Sequence, residues 1–205
     1  MFNDLHNNKS LHHLAPAILT DGIDWGLTKS WIGFNPTNHP TSTHLGKYYN
    51  YKIKSSTFGL PTGKEKKRNF PLLYTQNLIN CPQCNVAEDN NAHLGTCSVH
   101  ILELADVFQA HKHKLIQILT DNNNTSHKVD IERNVNQLQM FQWANNPSNQ
   151  LTPNHPVYLL SHNLILTELS EISEIINMTV RHKKKLIITS NNFLFGGRLK
   201  PYSIT

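Results

Sequence analysis

All three cysteines of the chain lie between Cys81 and Cys97, in the stretch NCPQCNVAEDNNAHLGTCSVH, with a histidine between the second and the third. Written as a pattern, Cys81, Cys84, His93 and Cys97 form C-x2-C-x8-H-x3-C. Three thiols and one imidazole are donors that Zn2+ takes in a tetrahedral structural site. Two cysteines separated by two residues can face one ion from a tight turn, and Pro82 and the polar run NVAEDNN suit such a turn. His93 and Cys97 stand four apart, one helical turn, so a helix there would point both the same way. His100, three residues after Cys97, is the rival fourth ligand, and the spacing favours His93.

Four protein ligands leave no position for water or substrate, so the pattern reads as a structural site and the chain as no enzyme. A zinc deaminase needs His-x-Glu or Cys-x-Glu ahead of Pro-Cys-x-x-Cys. Here the order is Cys81-Pro82-Gln83-Cys84, and no upstream histidine begins His-x-Glu. With every cysteine assigned to metal, no thiol remains as a nucleophile. His111 and His113 lie two apart and cannot share a helix face, which argues against a second metal site.

An odd, clustered set of cysteines argues against a disulfide framework. The first residues lack the basic and apolar regions of a secretory signal. No run approaches the roughly 18 apolar residues of a membrane span. The expectation is an intracellular protein, nuclear or cytoplasmic, with no membrane partner. Asn-x-Ser/Thr matches at Asn123, Asn124 and Asn177 then carry no meaning.

Lys and Arg number 19 against 14 Asp and Glu, a net charge of +5 that favours polyanionic partners. The basic residues concentrate at Lys64, Lys66, Lys67 and Arg68, with Tyr48, Tyr49, Tyr51, Phe70 and Tyr74 nearby. Cations interleaved with aromatics suit single-stranded nucleic acid, through phosphate contact and base stacking. The plainer reading is a solvated loop beside core aromatics. Arg181–Lys185 reads first as a solvated cluster ending a helix.

Hydrophobic residues make up 38% of the chain, and asparagine clusters at Asn122–Asn124 and Asn145-Asn146, so part of it should be loop. The pattern predicts an α+β fold, mainly α, in which a small zinc-stabilised turn precedes amphipathic helices. Residues 1–42 read as an irregular N-terminal region, loops with one or two short elements. Residues 43–120 read as the zinc-binding module with flanking helices. Within it, THLGKYYNYKIKSSTFGL fits a helix through Leu45, Tyr49 and Ile53, or a strand through Tyr49, Tyr51 and Ile53. From Ser98 as N-cap, Ile101, Leu104, Ala105, Phe108, Leu115 and Leu119 repeat at helical spacing. Residues 121–150 hold an Asn-rich stretch, a helix over about Asp130–Trp143 and a linker. Residues 151–205 form a C-terminal segment of unknown role, with a helix over His162–Val180 and a candidate strand at LIITSNNFLF.

The residues from Trp31 to His100 carry a family likeness. Leu60-Pro61-Thr62, Arg68, Pro71, Tyr74, Cys81-Pro82, Cys84, Glu88, His93-Leu94 and Cys97 together resemble the zinc-binding segment downstream of reverse transcriptase in non-LTR retrotransposons. The likeness covers less than half the chain, and its Cys/His part is the specific part. It departs from the pattern where Asn69 and Phe70 lengthen the step from Arg68 to Pro71. The resemblance implies metal ligation by Cys81, Cys84, His93 and Cys97, and a nucleic-acid-binding or structural accessory role. Neither the Tyr-x-Asp-Asp of a polymerase nor a recognisable RNase H carboxylate cluster is present. The expected function is a retrotransposon-derived structural zinc module that binds RNA or DNA. The alternatives are a protein-interaction module, using the apolar helix faces from Ile101 to Val180, or a decayed retroelement fragment with no activity.

Overall fold

The computed structural model describes residues 9–35, 43–121, 128–148 and 150–175. Its chain divides into two compact units, one of residues 1–101 with 148–165, the other of 102–147 with 166–205. Helices dominate both. Among the described residues, strand structure is limited to isolated bridges, one of which pairs Asn80 with Glu88. The β part of the expected fold is thus reduced to bridges. The candidate strand LIITSNNFLF, the basic run Arg181–Lys185 and residues 176–180 of the expected third helix lie outside the described residues.

The first unit opens with a 3-10 turn at Lys9–Leu14, then α1 (Ala15–Leu19) and α2 (Trp25–Ile32). Where loops with one or two short elements were expected, residues 9–32 hold a 3-10 turn and two short helices. They form because tertiary contacts supply what the weak local pattern lacks. Asp24 caps α2, accepting from the Leu27 N–H at 2.8 Å. The Thr28 hydroxyl accepts from the Ile165 N–H at 2.9 Å, and Trp31 is 1% exposed, its indole N–H donating to Asn163 Oδ1 at 3.1 Å.

The ambiguous Tyr-rich segment is a helix, α3 (Thr43–Ser56). Its inner face is centred on a lysine. Lys52 is 1% exposed, and its ammonium donates to the carbonyls of Trp31, Ile32 and Phe34 at 2.7, 3.3 and 3.1 Å. These carbonyls close the C-terminal end of α2, where a cation is favoured. The same Nζ lies 4.0 Å from the centre of the Trp31 ring and 4.3 Å from that of Tyr48. Tyr48 and Tyr49 are thereby turned toward an internal cation rather than offered to a ligand.

Three helices of this unit stop in one way. After α1, α3 and α9 (Pro156–Ser161), the residues Asp21, Phe58 and Asn163 take the left-handed conformation, with φ of 50, 55 and 62°. In each case the next N–H bonds back across the final turn: Gly22 to Ala17, Gly59 to Lys54 and Leu164 to Leu159, at 2.9, 2.7 and 3.0 Å. Asp and Asn tolerate that conformation, whereas Phe58 is strained there. Its buried ring is held by stacking on His162, with centroids 4.2 Å apart and planes 18° apart.

In the second unit, α6 (Ile101–Asp121, whose first residue belongs to the first unit) turns Ala105, Phe108, Leu115 and Leu119 inward. A 3-10 turn at Ser98–His100 precedes it, so Ser98 starts that turn rather than capping the α-helix. The single helix expected over Asp130–Trp143 is two, α7 (Lys128–Gln137) and α8 (Gln139–Asn145). The break falls at Leu138, whose extended backbone (φ −61°, ψ 130°) keeps Leu138 itself buried while α8 buries Phe141 and Trp143. Phe108 and Trp143 meet edge to face at 6.0 Å. The expected third helix begins only at Thr167, as α10 (Thr167–Ile175), because α9 and the Asn163 turn occupy the residues before it.

Candidate metal centre

The loop that carries the first two cysteines is set by its backbone. The Asp89 N–H donates to the Ile79 carbonyl and the Cys81 N–H to the Ala87 carbonyl, both at 2.8 Å, on either side of the Asn80–Glu88 bridge. Within this frame the Asn85 N–H reaches the Cys81 carbonyl at 2.9 Å, and Asn85 takes φ of 56°, which asparagine tolerates. Hydrogen bonds from the Ala87 and Val86 N–H groups reach the half-exposed Cys84 sulfur and hold its pKa down to about 6. Cys97 is buried, and burial pushes its thiol up to about 11, with the neighbouring Cys81 adding to the effect. One thiol is thus ready as a thiolate, while another needs a cation beside it to ionise.

The other two donors come from the far side of the loop. Asn90 caps the single turn α5 (Asn91–Leu94), its side chain accepting from the His93 N–H at 2.9 Å. That cap sets the direction of His93. The helix stops at Leu94, and Cys97 follows Gly95 and Thr96, so His93 and Cys97 do not share a helix as their spacing suggested. A β-carbon at Gly95 would lie 2.2 Å from Ser161 Oγ, and this close approach of α9 is possible only for glycine.

Four donor atoms converge. The ligand atoms of Cys81, Cys84, His93 and Cys97 all lie within 4.8 Å of one another. The Cys81 and Cys97 sulfurs are 4.0 Å apart, and Cys84 Sγ is 3.4 Å from His93 Nε2. Bond lengths of about 2.3 Å to sulfur and about 2.0–2.1 Å to nitrogen in a tetrahedron separate neighbouring donors by about 3.5–3.8 Å. The cluster can therefore hold a metal ion, in a form compatible with zinc. His100 does not belong to this group.

The surrounding residues tie the loop to what precedes it. Buried Asn91 accepts from the Leu60 N–H at 3.1 Å and donates to the Leu60 carbonyl at 3.2 Å. The Asp89 carboxylate accepts from the Gly63 N–H at 2.6 Å, and the Asp89 carbonyl from the Lys64 N–H at 2.9 Å. These bonds fasten the start of α4 (Gly63–Asn69) to the metal loop. His162 lies beneath, its Nε2 2.9 Å from the Asn91 carbonyl and its Nδ1 2.8 Å from the Tyr158 carbonyl. The roles of Asp89, Asn90 and Asn91 were not read from the sequence, although an asparagine ahead of a short helix is a recognisable capping signal.

The four basic residues all sit on α4, and the side chains of three of them meet carboxylates or carbonyls. Lys64 pairs with Glu88 at 2.9 Å, and Arg68 pairs with Glu65. Lys67 donates to the carbonyls of Gln76 and Asn77 at 2.5 and 2.6 Å. Lys66 is half-buried, with no ion pair to another described residue. Phe70 and Tyr74 follow α4 directly, whereas Tyr48, Tyr49 and Tyr51 belong to α3. Compared with protein-family models, curated proteins and solved structures, the chain matches none.

Proposed function

We propose that Cys81, Cys84, His93 and Cys97 hold a structural Zn2+ and that the module so formed presents α4 to nucleic acid. The observation that carries the reading is the coupling between the two: Asp89, inside the metal loop, receives the N–H groups of Gly63 and Lys64 at the start of the basic helix. An ion that organises the loop would organise α4 with it. All four positions of a tetrahedral ion would be filled by protein, which suits an accessory role and no catalysis. The Lys64 and Arg68 ends of the pairs Lys64–Glu88 and Arg68–Glu65 are exposed, so phosphate oxygens can reach both cations from solvent.

The retrotransposon resemblance agrees with the same reading, its specific part being the Cys81, Cys84, His93 and Cys97 pattern. An interaction module built on the apolar helix faces after Ile101 has less support, because Ala105, Phe108, Leu119, Val135 and Phe141 are buried. The test has two stages. Native mass spectrometry and Co2+ spectra should give one metal per chain with thiolate-to-metal absorption. Binding of labelled single-stranded RNA and DNA across a salt series should then weaken with salt and vanish on chelation. Metal binding without any nucleic-acid binding at low salt would leave the site as a fold-stabilising element alone.

A further inference from the structure

The segment Phe70–Leu78 leaves α4 and keeps its apolar side chains in solvent. Leu72 is 91% exposed and Leu73 78%, with Phe70 at 56% and Leu78 at 53%. Single exposed apolar residues are ordinary, but four within the one loop 70–78 are exposure of the kind found at interaction sites.

The start and the base of the loop are tied by hydrogen bonds. The Phe70 N–H donates to the Lys66 carbonyl at 2.8 Å, and those of Leu73 and Tyr74 reach the Phe70 carbonyl at 3.0 and 3.2 Å. Pro71 has no N–H to satisfy. At the base, Lys67 caps the carbonyls of Gln76 and Asn77. Leu72 and Leu73, the most exposed of the four, offer no ring for base stacking, so nucleic acid would leave these two uncovered.

The shoulder of the loop is cationic on balance, with Lys64, Lys66, Lys67 and Arg68 against Glu65 and Glu88, which pair with Arg68 and Lys64. A second copy of the chain would bring two such helices together. The chain's own segment 176–205 carries Arg181, Lys183, Lys184, Lys185, Arg198 and Lys200, the same sign again. What complements an apolar tip with a basic shoulder is a surface that is apolar beneath anionic groups.

We propose that the loop 70–78 docks this protein on anionic lipid, with Leu72 and Leu73 in the boundary between headgroups and acyl chains and the α4 cations against lipid phosphates. The docking is peripheral, since no helix among the described residues is long and apolar enough to cross a membrane. It does not rest on nucleic-acid binding, although both would draw on α4.

The test is co-sedimentation of the zinc-loaded full chain with phosphatidylcholine vesicles, with and without roughly a third phosphatidylserine. The protein should follow the phosphatidylserine vesicles. The double change Leu72→Gln with Leu73→Gln should reduce partitioning by about tenfold or more, with zinc content and circular dichroism unchanged. Lys66→Gln with Arg68→Gln should weaken binding and flatten its dependence on salt. Equal sedimentation of the Leu72/Leu73 variant would overturn the proposal and leave adsorption by charge alone. Failure of the unaltered chain to sediment would overturn it too, and an oligomer broken by the same leucine changes would then assign the loop to self-association.

Discussion

Lys52 shows what a single side chain can hold in place. Burial pulls its pKa down to about 8, while three carbonyls and the Trp31 and Tyr48 rings favour the ammonium, so it stays charged at neutral pH. Lys52→Met keeps the chain length and leaves the end of α2 without its cap. We expect a loss of about 2–4 kcal/mol in urea unfolding, with the indole of Trp31 reporting the change in near-ultraviolet circular dichroism. His111 behaves in the opposite sense. It is 4% exposed on α6, and burial lowers its pKa to about 4. The unfolded chain takes up that proton near pH 6.5, so the folded state keeps its full advantage above that pH and loses it as pH falls toward 4. Between pH 7 and pH 5 the loss from this residue should be about 2 kcal/mol. His111→Leu should reduce the slope of stability against pH by about one proton, with half-buried His155 and buried His162 supplying part of the remainder.

At the scale of elements, the helix ends and the close approaches set the metal loop. Phe58 sits where glycine usually ends a helix, and the stack on His162 keeps it there. Phe58→Gly removes the backbone strain but also a buried ring, and the second effect is larger. The variant should lose about 2–3 kcal/mol in denaturant titration rather than gain stability. Gly95→Ala would force its new methyl against Ser161, moving α9 away from the segment between His93 and Cys97. We expect weaker zinc affinity in a chelator competition, by about tenfold, where Gly46→Ala, with open space at its β-carbon, should change nothing measurable in metal affinity.

For the whole molecule, the units differ in what they depend on. The four candidate ligands all lie in residues 1–101, and the second unit contains none of them. Chelation should remove hydrogen-exchange protection over residues 60–97, together with part of the protection at 158–162 through the Asn91–His162 bond. Protection over 105–119 and 131–144 should persist, since Phe108, Leu119, Val135 and Phe141 are buried residues of the second unit, which holds none of the ligands. Loss of protection throughout would mean that the ion supports the entire chain.

What the sequence determined by itself was the chemistry of the candidate centre. Thiols and imidazole are rare, their spacing is local, and a loop of 17 residues, Cys81 to Cys97, can bring few other groups to one ion. The apolar period of α6 was legible for the same local reason, because a long helix with a continuous buried stripe repeats its signal many times. Tertiary structure decided the rest. Helix was chosen over strand at Thr43–Ser56 by the packing around Lys52, and no period marks a buried lysine. The break at Leu138 follows from burying Leu138 and Phe141 together, where a continuous helix fitted the same spacing. Helix ends at Asp21, Phe58 and Asn163 escaped the usual glycine signal, since other residues hold the left-handed position. The engagement of Lys64, Lys67 and Arg68 was equally hidden, because the carboxylates and carbonyls that meet them are chosen by the fold and not by neighbouring sequence.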